Sequence, residues 1–194
     1  MYSEIIKQKS IDLYAASFCE GNKEEAEIFV SSFFKDVEMI LDNNEIVSQL
    51  FLIDAVYSGN TPSKFKYIYA ASTNVKYRNK GYMNQLLCRC IEKVKSMGYD
   101  GIYLYPANRK LREYYKKIGF SDCFGFSKTM RKTEIIKDNP SITPCDEFIS
   151  FCRQIGTNDF DKNSTRIPGG ENRVMAVIFN NSIDKNAFLK IIGD

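Results

Sequence analysis

Apolar positions recur along the first half of this chain with two different periods, and the switch between them separates helices from strands. Ile11, Tyr14, Ala15 and Phe18 fall on one face of a helix that Ser10 can cap and that ends near Gly21. Asn22, with Glu25 three residues on, has the form of a capping box. Ala26, Phe29, Val30, Phe33 and Phe34 follow at the i, i+3, i+4, i+7, i+8 spacing of a second helix. The period then falls to two. Val37–Leu41 and Ile46–Tyr57 read as a hairpin around Asp42-Asn43-Asn44-Glu45, and Ser58–Ser63 reads as a loop. Phe65 to Val75 reads as a longer strand with Phe65, Tyr67, Tyr69, Ala71 and Thr73 on one face.

Helical spacing returns from Tyr82 to Met97, where Met83, Leu86, Leu87, Cys90, Ile91, Val94 and Met97 share one side and Gly98 stands at the left-handed cap. Gly101 to Tyr105 is apolar on both faces, as a buried parallel strand is, and Pro106 stops it. Residues 65–105 therefore form one right-handed βαβ unit. Asn108 caps a helix bearing Leu111, Tyr114, Tyr115 and Ile118 and closed by Gly119, after which Phe120 to Met130 returns as an antiparallel strand. Beyond Arg131 the pattern weakens. Lys137–Pro144 reads as a linker, Pro144–Ile155 as a helix, 156–172 as loop, Val174–Phe179 as a strand and Ala187–Ile192 as a short helix. This predicts a mixed α/β domain over 1–131. The extension, 132–194, packs on the same domain and supplies a last strand; covering an acceptor site or making a dimer contact stays open.

Composition narrows the chemistry. At 194 residues, 44% hydrophobic and 13% aromatic, the chain can bury a sizeable core. A net charge of +3 is too mild to predict nucleic-acid binding. No apolar run approaches a membrane span and Met1–Ser10 lacks the shape of a signal peptide, so the expectation is a soluble, cytoplasmic protein, monomer or homodimer. The 6 cysteines (Cys19, Cys88, Cys90, Cys123, Cys145, Cys152) have no framework spacing and are expected as free thiols. Cys88 and Cys90, about 200° apart on a helix, cannot clasp a metal, and no metal is expected. There is no histidine, which removes Ser-His-Asp and Cys-His chemistry; proton transfer falls to Tyr, Lys, Cys, a carboxylate or water.

One stretch remains unexplained by packing: Tyr77-Arg78-Asn79-Lys80-Gly81-Tyr82-Met83-Asn84, joining a strand to a helix. Such a glycine-bearing basic turn aims free helix N–H groups at one point and suits phosphate. It is neither a Walker A loop nor a dinucleotide fingerprint. Just before it, the small residues Ala70, Ala71 and Ser72 leave room for a ligand's backbone to approach.

Two motifs in this order resemble the GNAT acyltransferase superfamily. Its loop, Gln/Arg-x-x-Gly-x-Gly/Ala, is matched by Arg78, Gly81 and, imperfectly, Met83. Its later segment, an Asn, an aromatic-Tyr pair and then Gly-Phe after three residues, is matched by Asn108, Tyr114, Tyr115, Gly119 and Phe120. The resemblance spans roughly residues 10–131. It implies the GNAT-like acyl-CoA N-acyltransferase fold, a mostly antiparallel central sheet with a βαβ cofactor unit. It also implies acetyl-CoA as co-substrate. Arg78, Asn79, Lys80, Gly81, Tyr82, Met83 and Asn84 would wrap its pyrophosphate, Ala71, Ser72 and Thr73 would pair with its pantetheine arm, and Asn108 would contact it near the thiol. Tyr115 would be the general acid toward the leaving thiolate, since a phenol near pKa 10 stays protonated at neutral pH.

Departures from the family pattern are informative too. Met83 replaces a small residue, either crowding the loop or pointing into the core. Val75 stands where many members have proline, and Tyr67 where some carry a Glu base. The base is left open between water relayed by Tyr67, Tyr69 or Tyr103, a carboxylate such as Asp54, and an acceptor that arrives neutral. The expected function is acetyl transfer from acetyl-CoA to a primary amine of a small-molecule or amino-acid-like acceptor. The aromatic N-terminal helices and hairpin would form the acceptor side. Alternatives are a protein N-acetyltransferase, O-acylation, a CoA-binding sensor or assembly module without turnover, and a nucleotide-binding regulatory domain.

Overall fold

The computed structural model describes residues 4–58, 62–125, 141–154, 173–180 and 183. The chain forms two compact units, residues 1–53 with 68–93 and residues 54–67 with 94–194. Its elements, in order, are α1 (Glu4–Phe18), α2 (Lys23–Phe33), β1 (Val37–Asp42), β2 (Glu45–Ser58), β3 (Ser63–Thr73), α3 (Tyr82–Ser96), β4 (Gly101–Leu104), α4 (Arg109–Lys116), β5 (Ser121–Gly125), β6 (Ser141–Pro144), α5 (Asp146–Gln154) and β7 (Arg173–Ile178).

In the first unit the helices pack through an aromatic hub. Phe29 of α2 is fully buried and its ring lies 4.6 Å from Tyr14, 4.8 Å from Phe51, 5.1 Å from Tyr69 and 5.2 Å from Phe33. Asn22 caps α2 by accepting from Glu24 N. Ser10 does not cap α1. The helix starts at Glu4 because Ile6 extends the buried face to 6, 10, 11, 14 and 15, which places Ser10 inside and buried. Phe18, expected on that face, is 48% exposed at the helix end. β1 and β2 form the expected antiparallel hairpin, Val37 opposite Phe51, turning on left-handed Asn43 and Asn44. β3 ends at Thr73 rather than Val75, and residues 75–77 make a 3₁₀ turn. On α3, Leu86, Leu87, Cys90 and Val94 are fully buried, while Cys88 is exposed.

In the second unit the start of β3 pairs in parallel with β4 over Phe65–Gly101, Lys66–Ile102 and Tyr67–Tyr103. β7 lies antiparallel between β4 and β5, with Tyr103 and Ser121 both opposite Ala176. β6 pairs antiparallel with the end of β2, so residues 141–144, expected as linker, are strand. Apolar Ile142 beside Tyr57 favours that pairing over solvent. α5 buries Phe148, Ile149, Phe151 and Cys152. The expected strand beyond Gly125, the loop at 156–172 and the helix at 187–192 lie outside the described residues. The fold is mixed α/β, with one parallel and four antiparallel pairings among those described with register.

Asp100 joins three segments of this unit. Its Oδ2 accepts from Lys64 N at 2.9 Å, its Oδ1 from Asn180 Nδ2 at 2.7 Å, and its carbonyl from Phe179 N at 2.8 Å. Next to it, Gly101 has no room for a side chain: an added Cβ would sit 2.3 Å from Phe65 Cε1 and 2.9 Å from Val177 O. Gly101→Ala should therefore destabilise the protein by about 1–3 kcal/mol, read as a lower urea midpoint; an unchanged midpoint refutes this packing.

Candidate functional site

The turn between β3 and α3 is built from local hydrogen bonds that leave its helix end open. Asn74 Oδ1 accepts from Lys76 N, Tyr77 N donates to Asn74 O, and Arg78 Nε donates to Thr73 O at 3.1 Å. Asn79 (φ 63°) and Gly81 (φ 81°) are both left-handed, reversing the chain within three residues. Gln85 N is the first to bond back, to Gly81 O. The N–H groups of Tyr82, Met83 and Asn84 precede that bond and have no helical acceptor. Lys76, Arg78 and Lys80 are exposed or nearly so, and among the described residues none pairs with a carboxylate. Lys80 Nζ rests 5.4 Å over the Tyr77 ring, which meets Tyr82 edge-on at 6.0 Å. Free N–H groups and unpaired cations together fit a phosphate-bearing ligand.

The strand leading into this turn carries a feature the sequence did not announce. Ala70 has φ 51°, a left-handed residue inside β3. It breaks the alternation expected for Phe65, Tyr67, Tyr69, Ala71 and Thr73, so Ser72 rather than Ala71 is buried. Thr73 Oγ1 pairs with Ser48 Oγ at 2.9 Å, but the buried Ser72 hydroxyl has no partner among the described residues. The only sequence signal was a run of small residues. Met83 is half-buried on the first turn of α3, in register with Leu86, Leu87 and Cys90.

In the second unit Asn108 and Tyr115 lie at opposite ends of α4. Asn108 Oδ1 caps the helix by accepting from Leu111 N at 2.9 Å, which leaves its Nδ2 outside the cap. Tyr115 is buried (8% exposed), with Tyr114 at 5.3 Å and Phe120 at 5.8 Å. Its hydroxyl has no hydrogen bond among the described residues. Burial, and secondarily Tyr114, pushes its pKa up to about 12. The helix is clipped to β5 by Arg112 Nε on Asp122 Oδ1 at 2.6 Å, a pair that no motif signalled.

The residues left open as base are differently placed. Tyr69 belongs to the first unit, its hydroxyl 3.5 Å from that of Tyr14. Tyr67 and Tyr103 stack at 4.9 Å in the second unit, with Tyr105 edge-on to both. Tyr103 is fully buried, its hydroxyl lacks a partner among the described residues, and desolvation drives its pKa well above the phenol value. Asp54 Oδ1 accepts from both Lys66 Nζ (2.8 Å) and Tyr99 OH (2.6 Å), so its carboxylate is held in an ion pair. Among the described residues no cluster could hold a metal ion, and no helix is long and apolar enough to cross a membrane.

Comparison with known proteins gives a family match and several likenesses of fold. A family model described as an acetyltransferase (GNAT) domain matches residues 7–123. A GCN5-related N-acetyltransferase from Anabaena variabilis superposes with a TM-score of 0.56 at 18% identity, covering 63% of this chain and 31% of that one. This chain thus spans about a third of that relative's length. An aminoglycoside 6'-acetyltransferase type Ii gives 0.53 at 12% identity over 91% of both chains. A protein described as a transcriptional regulator, from Bacillus halodurans, gives 0.51 at 18% identity over 70% of this chain and 95% of that one. At these identities the structures share the fold alone. No curated protein matches the chain.

Two stability predictions follow from the buried phenols. Tyr115 holds its proton more tightly folded than unfolded, so its contribution is intact below pH 10 and is lost as pH rises toward 12. The loss is on the order of 2–3 kcal/mol, and Tyr115→Phe should flatten that part of a urea-midpoint profile between pH 9 and 12. An identical slope in the variant would count against the burial. Tyr103→Phe removes an unpartnered buried hydroxyl, so the melting temperature should hold or rise; a fall of several degrees would mean that the hydroxyl has a partner.

Proposed function

We propose that this chain, which belongs to the GNAT acetyltransferase family, moves the acetyl group of acetyl-CoA directly to a primary amine. The acceptor we favour is a small molecule or amino-acid-like compound, and the setting is the cytoplasm. The carrying observation is the turn at 76–84, where among the described residues the first helix N–H groups have no helical acceptor and Lys76, Arg78 and Lys80 pair with no carboxylate. In this reading Arg78, Asn79, Lys80, Gly81, Tyr82, Met83 and Asn84 hold the pyrophosphate. Ala71, Ser72 and Thr73 pair through their backbone with the pantetheine arm. Asn108 contacts the arm through the Nδ2 that its cap does not use. Acetyl-CoA, when bound, supplies an activated acetyl thioester.

The chemistry assigned to the chain is small. A nitrogen–carbon bond forms, the carbon–sulfur bond breaks, and one proton passes from nitrogen to sulfur. Tyr115 donates to the departing sulfur. Its pKa near 12 keeps it protonated at any physiological pH. That value exceeds an ordinary thiol's, near 8.5, so Tyr115 stabilises charge on sulfur by hydrogen bonding before complete transfer. No strong base is assigned. Burial keeps Tyr103 protonated, Asp54 is ion-paired and histidine is absent, and an acceptor amine that arrives neutral needs no such base.

The second reading, a CoA-binding module without turnover, is favoured by that missing base. A thermal-shift screen separates binding from its absence, since a ligand specific to the folded state raises the melting temperature. Acetyl-CoA should shift it and ATP and NAD should not; the reverse pattern ends the reading. Gly81→Val should abolish the shift, because a β-branched residue at φ 81° strains the turn. CoA release across a panel of primary amines should rise about tenfold per pH unit below each amine's pKa, and Tyr115→Phe should slow it at least tenfold. Release by no amine, with binding intact, favours the second reading.

A further inference from the structure

Tyr115 sits on a helix that cannot hold it still unaided. α4 is 8 residues long, well short of what persists alone in water. Arg109, Lys110, Glu113 and Lys117 face solvent. The cap at Asn108 orders one end. At the other, Ile118 N and Phe120 N return to Tyr115 O at 3.0 and 3.2 Å. A side-chain contact that opposes rotation of the helix is Arg112 on Asp122. The two side chains are 11% and 22% exposed, Nε meets Oδ1 at 2.6 Å, and Lys116 Nζ lies 3.6 Å from Oδ2. Arg112 and Tyr115 stand three residues apart and so share a side of the helix.

Asp122 is itself held from elsewhere. Among the described residues β5 is hydrogen-bonded to β7 alone, with Asp122 opposite Met175, and β7 is bonded in turn to β4, with Met175 opposite Leu104. One carboxylate therefore links the helix to a strand that the C-terminal segment keeps in register. We infer that Asp122 is a positioning residue: through Arg112 it fixes the rotation of α4 and so the placement of the Tyr115 hydroxyl. β7 serves the same end by holding β5. This rests on the role proposed for Tyr115, and it adds a residue and a C-terminal element to it. Neutralising Asp122 removes the carboxylate that the poorly exposed Arg112 Nε meets at 2.6 Å, and breaking such a pair from one side is destabilising.

The test is Asp122→Asn, with Asp122→Glu as the conservative rescue and Arg112→Met as a second route should Asp122→Asn fail to fold. Tyrosines labelled at Cζ report ionisation by NMR, with the Tyr115 signal assigned through Tyr115→Phe. At pH 10.5 a group of pKa about 12 is roughly 3% ionised and one near 10 roughly three quarters. The parent and Asp122→Glu should show a neutral Tyr115, and Asp122→Asn and Arg112→Met a largely ionised one. With an amine accepted by the parent, Asp122→Asn should lower kcat at least tenfold and leave KM for acetyl-CoA within twofold. A folded Asp122→Asn with a neutral Tyr115 and unchanged kcat overturns the inference. If Tyr115→Phe is as active as the parent, the acid role fails instead, while the NMR comparison still decides whether Asp122 places the ring.

Discussion

An α-helix leaves its first N–H groups without internal partners, and residues 73–85 are arranged so that those of α3 stay that way. The bonds that shape the turn are local. Asn74 closes the 3₁₀ turn, Arg78 takes the last carbonyl of β3, and left-handed Asn79 and Gly81 swing the chain round to Tyr82. What remains unused is a set of donors at one helix end with cations beside it. Water satisfies such groups at little cost, so the turn folds without a ligand, and an anion displaces that water readily.

Elsewhere, burial decides which side chains can do chemistry. Histidine is absent and Asp54 is tied to Lys66 and Tyr99. Desolvation moves Tyr14, Tyr103, Tyr105 and Tyr115 in the same direction, toward the protonated form. Phenols so placed can donate hydrogen bonds over a wide pH range but cannot accept a proton near neutrality.

The elements most legible in the sequence were those set by near neighbours. Asn22 and Asn108 cap their helices by bonds spanning two and three residues, and Gly98 and Gly119 take left-handed values where a helix must stop. The turn at 78–84 was legible as a turn for the same reason, since its geometry is closed within a dozen residues. Ser10 misled because a capping residue and a small buried residue look alike in one dimension. Only the burial of Ile6 against the rest of the first unit tells them apart. Residues 141–144 misled in the same way: polar and Pro-bearing, they become strand because β2 offers them a free edge.

The sequence by itself determined the succession of helices and strands from α1 to β5, the open turn at 78–84, the cap at Asn108 and the absence of histidine chemistry. Each depends on residues within a few positions of one another or on composition alone. Tertiary structure decided the left-handed Ala70 inside β3, the burial of the Ser72 and Tyr103 hydroxyls, the upward shift of Tyr115, and the bond from Arg112 to Asp122. It also placed β7 between β4 and β5, so that a strand 50 residues downstream of β5 keeps Asp122 in register. Solvent exclusion and pairing between distant segments have no local signature, because both depend on what the rest of the chain brings alongside.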